Sequence, residues 1–338
     1  MPTRTPTRTG TVMDSQRFHD RFEAIATNVE KVIKGKPDVV RLALVALFAE
    51  GHVLFEDVPG VGKSMLARAI GRTISAEVGR VQCTPDMLPG DITGSSIYDQ
   101  RSGEFNFRGG PIFANILLAD EINRATPKTQ SAMLEAMAER AVTVDGVTHP
   151  LPRPFLVLAT QNPIELAGTF PLPEAQLDRF LIKLAIGYPD LEAEQEILLA
   201  NGQSPAIDSL EPAADAQEVR EMITWASEVT VSPAVSRYII ELCRATRDEK
   251  AFQLGASPRA SLALLWSSRV MAASYGREDV YPDDVKSLLV PVMGHRLVLT
   301  AEATLRGETV EGLLERVVSR VSAPLTGQTS RSLVGSAG

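Results

Sequence analysis

Gly60, Val61, Gly62, Lys63 and Ser64 stand between a short apolar run at 53–55 and a stretch of helical periodicity at 64–74. A turn placed between a buried strand and a helix suits capture of an anion. Gly60 and Gly62 tolerate the backbone angles that turn successive N–H groups inward, and the following helix adds its positive end. Lys63 would reach the β- and γ-phosphates of a nucleoside triphosphate, and the Ser64 hydroxyl would take one position on Mg²⁺. Asp57, Val58, Pro59 and Met65 complete the segment expected to wrap the phosphates. The general pattern has glycine where Asp57 stands, so strand and helix carry much of the argument; the plain alternative is a glycine turn capping a helix.

A second apolar run, 116–119, ends in Asp120 and Glu121. Strand ends carry the ligands of open α/β sheets, which would put both carboxylates at the phosphate crevice. Asp120 suits outer-sphere coordination of Mg²⁺ and Glu121 suits polarising an attacking water. Taken alone, such a pair is a solvated turn or a helix cap; with the upstream glycine turn it reads as a hydrolytic pair. The run 155–160 leads to Asn162, whose amide would hold the γ-phosphate or the water, the alternative being an Asn-Pro turn that ends a strand. Phosphoryl transfer also needs positive charge where the γ-phosphate develops its own, a task suited to arginine. Arg179, in Asp178-Arg179-Phe180, and Arg259, after Ser257-Pro258, are the candidates; surface salt bridging is their bland reading.

These residues need a scaffold. Short continuous apolar runs at 53–55, 116–119, 155–159 and 181–186 resemble strands buried on both faces. Helical patterns at 64–74, 127–139 and 192–200 separate them, which predicts a parallel sheet covered by helices. Two helices lead in, over 14–33 and from Asp38, a plausible N-cap, to 49. After Gly202 the pattern changes: 204–215 reads as a linker, and the remainder is helical at 216–229, 235–246, 259–273, 282–289 and 310–321. The organisation predicted is a disordered segment at 1–13, an α/β core over 14–204, an all-helical lid over 205–322 and a flexible tail at 323–338. A hairpin is expected besides over 142–147, turning at Asp145-Gly146, and the stretch 85–113 is longer than a phosphate-loop core needs.

Composition narrows the field. The chain has 338 residues, 44 % apolar and 22 % charged, with a net charge of −8 and no dense Lys/Arg run in the folded part. That disfavours nucleic acid as partner, because backbone binding needs clustered cations. Cys83 and Cys243 are far apart and read as reduced core thiols. No apolar stretch is long enough to span a bilayer and no secretory leader is visible, so the expected location is the cytoplasm.

In this order, residues 56–64, Asp120-Glu121-Ile122-Asn123-Arg124-Ala125, Ala159-Thr160-Gln161-Asn162-Pro163, 172–180 and Ser257-Pro258-Arg259 resemble the MoxR family of AAA+ ATPases over about 15–322. The resemblance implies an AAA+ P-loop core with a helical lid and a site for ATP and Mg²⁺. It implies Lys63 and Ser64 as Walker A, Asp120 and Glu121 as Walker B and Asn162 as sensor 1. Arg179 would be the finger acting on a neighbouring protomer's ATP and Arg259 the sensor 2 acting in cis. Arg124 is a further candidate for facing the same interface, and 85–113 resembles the family's hairpin insertion. It further implies a homo-oligomeric, hexameric ring, a von Willebrand factor A domain partner, and a protein client that is matured or given its metal cofactor. The rival readings are a nucleotide-gated scaffold that barely hydrolyses, a magnesium chelatase-like subunit, and a nucleic-acid remodeller.

Overall fold

The computed structural model describes residues 12–163, 168–199, 207 and 209–325. The disorder expected at 1–11 and at 326–338, and the part of the expected linker at 204–206 and 208, lie outside the described residues.

The amino-terminal part runs α1 (Ser15–Glu30), α2 (Pro37–Phe48), β1 (Val53–Glu56), α3 (Lys63–Thr73), β2 (Val78–Gln82), α4 (Pro89–Thr93), β3 (Gly94–Asp99), β4 (Glu104–Gly109) and β5 (Ile116–Asp120). It continues with α5 (Pro127–Glu139), β6 (Ala141–Val144), β7 (Val147–Pro150), β8 (Leu156–Gln161), α6 (Glu174–Leu177), β9 (Ile182–Leu184) and α7 (Leu191–Leu199). Among the described residues the main sheet has five strands in the order β2-β5-β8-β1-β9, all paired in parallel. Its strands alternate between two cores, as a pleat of period two requires. Val53, Phe55, Ile116, Leu118, Leu156 and Leu158 join the cluster containing α1, α2 and α3, while Leu54, Leu117, Ala119, Val157 and Ala159 pack on Met133, Leu134 and Met137 of α5.

β2 was not among the strands expected. Its sequence, Val-Gly-Arg-Val-Gln, lacks an apolar run because it is an edge strand, with only Val81 buried. β9 is shorter than the run that announced it. Asp38 lies in the first turn of α2 rather than at its cap, because Pro37, which needs no N–H partner, opens the helix. Both hairpins are present, β3 with β4 and β6 with β7, and the second turns through left-handed Asp145 and Gly146.

The carboxy-terminal part comprises α8 (Ala216–Glu228), α9 (Pro233–Asp248), β10 (Phe252–Leu254), α10 (Pro258–Ser274), α11 (Pro282–Met293), β11 (Val298–Leu299), α12 (Ala301–Leu305) and α13 (Val310–Arg320). It is helical apart from the small antiparallel ribbon of β10 and β11. α10 packs on α8, α9 and α11 and reaches α1 and α2, so one apolar cluster runs from the sheet into the lid. Among the described residues no helix is long and apolar enough to cross a membrane.

Candidate nucleotide-binding site

Strand order decides what meets at the carboxyl edge of the sheet. β1, β8 and β5 are neighbours, so the loop after β1, Asn162 after β8 and the acidic end of β5 converge. They enclose a cleft of about 230 Å³ lined by Asp57, Pro59, Gly60, Gly62, Lys63, Ser64, Met65, Arg80, Gln82, Asp120, Glu121, Thr160 and Asn162.

Gly60 and Gly62 have φ of 87° and 99°, and a Cβ on either would meet nothing within 4 Å, so each faces open space. Gly62 is the N-cap of α3 and supplies no side-chain cap. By contrast α1, α5, α8, α9, α10 and α13 each begin with an Asp, Ser or Thr whose oxygen accepts a first-turn N–H. The first-turn donors of α3 are thus left to an incoming anion. Lys63 Nζ donates to the carbonyls of Asp57 and Val58 at 3.1 and 3.0 Å, folding the loop around the ammonium. Burial lowers the Lys63 pKa, against the attraction of Asp57, Asp120 and Glu121.

The Asp57 carboxylate turns away from this cradle. One oxygen accepts Val58 N–H at 2.8 Å and the other accepts the N–H groups of Ile186 and Gly187, both at 2.7 Å. Asp57 therefore ties the loop to the exit of β9, a task glycine would not perform.

Asp120 is buried, accepts Arg80 Nε–H at 2.9 Å, and accepts the Thr160 hydroxyl at 3.4 Å. Glu121 adopts the left-handed conformation, its N–H donates to Thr160 Oγ at 2.9 Å, and its carboxylate pairs with Arg124 at 2.7 Å. Thr160 thus holds both acidic residues from the adjacent strand, a role the sequence reading missed. The register pairs Ala119 with Ala159, so the next residues on each strand, Asp120 and Thr160, stand side by side. Arg80 and Gln82 were missed as well, because they belong to the unrecognised edge strand.

The two arginines expected to serve phosphoryl transfer do not line this cleft. Arg179 and Arg259 line a separate cavity of about 390 Å³ between core and lid, with Asp178, Arg269 and Arg296. Arg179 Nη1 donates to the Leu134 carbonyl at 2.5 Å. Arg259 thus stands at the junction of core and lid, outside the cleft that Lys63 and Asp120 line. Ser257, which caps α10, donates to Asp178 at 3.4 Å and so holds the start of the helix beside the Arg179 segment.

Comparison with known proteins places this geometry. Residues 52–182 match the model of the ATPase family associated with various cellular activities (AAA), and residues 244–317 match the AAA lid domain. The chain is 46 % identical to the uncharacterised YeaC protein of Bacillus subtilis, over 91 % of this chain and 96 % of that protein. It is 43 % identical to the chaperone MoxR1 of Mycobacterium tuberculosis, over 90 % of this chain and 82 % of that one. A protein MoxR of Paracoccus denitrificans is 30 % identical over 91 % and 97 %. A solved structure from Cytophaga hutchinsonii superposes with a TM-score of 0.85 at 36 % identity, covering 92 % of this chain and 97 % of its own.

Proposed function

This chain belongs to the MoxR family of AAA+ ATPases, and from that premise we propose that it hydrolyses Mg·ATP at a site completed by a neighbouring copy and uses the cycle to remodel a client protein. The observation that carries the reading is the separation of parts within one chain. Cradle, acidic pair and Asn162 share one cleft, while Arg179 and Arg259 line another. Arg179 would serve a partner's nucleotide from there, with Arg259 on the lid acting in cis, and a ring, which we take to be hexameric, supplies that partner to every subunit.

The residues fit the ligand. The uncapped first turn of α3, Gly60, Gly62 and Lys63 suit a triphosphate, with Pro59 and Met65 lining the cleft beside them and Val58 and Val61 completing the loop. Ser64 and Asp120 line the same cleft and are oxygen donors suited to Mg²⁺. When bound, Mg²⁺ would neutralise charge on the β- and γ-phosphates. Among the described residues no group of three or more His, Cys, Asp or Glu side chains could hold a metal, so such a cation would take its remaining ligands from phosphate and water. Glu121 polarises the attacking water, Asn162 orients it, and Thr160 keeps both acidic residues in place.

The remodelling role extends the description of MoxR1 as a chaperone, which is a statement about that relative. A von Willebrand factor A domain partner and a client awaiting maturation or metal insertion follow the family resemblance, while action in the cytoplasm follows the composition. On the surface, Tyr98 and Phe105 face each other across the β3–β4 hairpin, exposed and 5.2 Å apart between ring centroids, and offer apolar area to a client. One observation favours a second reading, a nucleotide-gated scaffold: Glu121 is engaged by Arg124. Phosphate release by the assembled protein separates the two. The ATPase reading expects steady turnover that Glu121→Gln abolishes while ATP still binds; equal release by both proteins would end it.

A further inference from the structure

The chain around Arg179 is gripped from the lid. Arg296 follows α11, and its side chain is only 4 % exposed. Its guanidinium has five N–H donors, and every one finds an acceptor. Nε donates to Asp178 Oδ1 at 2.7 Å, Nη2 to the Phe180 and Asp178 carbonyls at 2.6 and 3.5 Å, and Nη1 to the Leu181 carbonyl at 3.2 Å and to the Val292 carbonyl. Four of these acceptors lie in residues 178–181, on both sides of Arg179. Two further lid residues join them: His295 Nε2 donates to the Phe180 carbonyl at 3.0 Å, and Ser257 donates to the second oxygen of Asp178. Phe180 itself is fully buried in the core.

We propose that Arg296 is a positioning residue for Arg179: it fixes the backbone on either side of that arginine, so that lid orientation sets where the cation delivered to the neighbouring subunit stands. The proposal rests on the shared-site reading above and deepens it. A surface ion pair would not need such a grip, since one carboxylate would suffice. Satisfying four acceptors on Asp178, Phe180 and Leu181 makes this segment move with the lid. Lysine cannot replace the guanidinium, because its three donors leave buried carbonyls without partners and it lacks the planar fork.

The test uses Arg296→Lys, with Asp178→Asn as a second variant that keeps the size and one acceptor should the first fail to fold. Each is assembled with ATP. Nucleotide affinity, set by the variant's own cradle, is expected to stay within about twofold, and KM with it. kcat is expected to fall about ten- to a hundredfold, the usual effect of displacing a reacting group by about an ångström. Mixing then separates positioning from general damage. Rings mixed from Arg296→Lys and Glu121→Gln contain interfaces with an intact cradle facing an intact arginine, so activity should exceed that of either parent. Arg179→Ala mixed with Glu121→Gln is the control, and Arg179→Ala/Arg296→Lys should be no slower than Arg179→Ala alone. Wild-type kcat in both variants, or a gain in the control mixture without one in the Arg296→Lys mixture, overturns the positioning role. Absence of gain in the control mixture overturns the shared-site reading, and the positioning role with it.

Discussion

His52 ties the start of β1 to two elements of the core, and its titration should set much of the acid sensitivity of the fold. The residue is buried. Nδ1 accepts Val157 N–H at 3.0 Å and Nε2 donates to the Met137 carbonyl at 3.2 Å, so the network requires the neutral Nε2–H tautomer. Burial, reinforced by Arg140 and opposed by the Met137 carbonyl, lowers its pKa from 6.5 to about 4. Between these values the unfolded chain binds the proton and the folded one does not. Stability from this group is therefore complete above about pH 6.5 and is lost as pH falls toward 4. At ~1.4 kcal/mol per pKa unit the whole loss is roughly 3 kcal/mol, of which about 2 kcal/mol is gone by pH 5. His295, buried and lowered in the same direction, adds to the slope, so a variant is needed to isolate His52. His52→Gln should be less stable than the wild type at pH 7.5, and the gap should narrow by about 2 kcal/mol at pH 5. Denaturant unfolding of both proteins at the two pH values measures this. A gap that stays constant with pH would refute the assignment of a buried, neutral ring.

Thr160→Val keeps the shape but deletes the hydroxyl shared by Glu121 N–H and Asp120; we expect about 1–2 kcal/mol lower stability and at least a tenfold loss of ATP turnover with nucleotide binding retained, and unchanged turnover would remove Thr160 from the site. Cys83 and Cys243 are free and buried, and burial pushes Cys83 up to about 12 and raises Cys243. A thiolate-selective reagent at pH 8 should therefore label neither in the native protein and both after unfolding.

Much of this arrangement is local in sequence and was legible there. The glycine turn, the acidic end of β5 and Asn162 each sit where a continuous apolar run stops, and parallel strands buried on both faces leave such runs. What stayed hidden depends on contacts across the chain. β2 has a half-exposed edge position and no apolar run to announce it. Thr160 matters through its register with β5 and not through its own neighbours. Asp57 looked like a departure from the phosphate-loop pattern, yet it anchors that loop to residues 186 and 187, about 130 positions away. Arg259 and Arg296 depend on how the lid docks, because Asp178 joins partners separated from it by 79 and 118 residues. Helical periodicity announces lid helices but says nothing of which core segment they clasp.

The central claim is that one subunit supplies the cradle and the water-activating carboxylate while the next supplies Arg179. Phosphate release from rings mixed from inactive Arg179→Ala and inactive Glu121→Gln subunits tests it most directly. We expect activity to rise above both parents and to peak near equal proportions, where intact pairs are most frequent. A mixture no faster than its parents, or an Arg179→Ala protein that turns over ATP at the wild-type rate by itself, would contradict it.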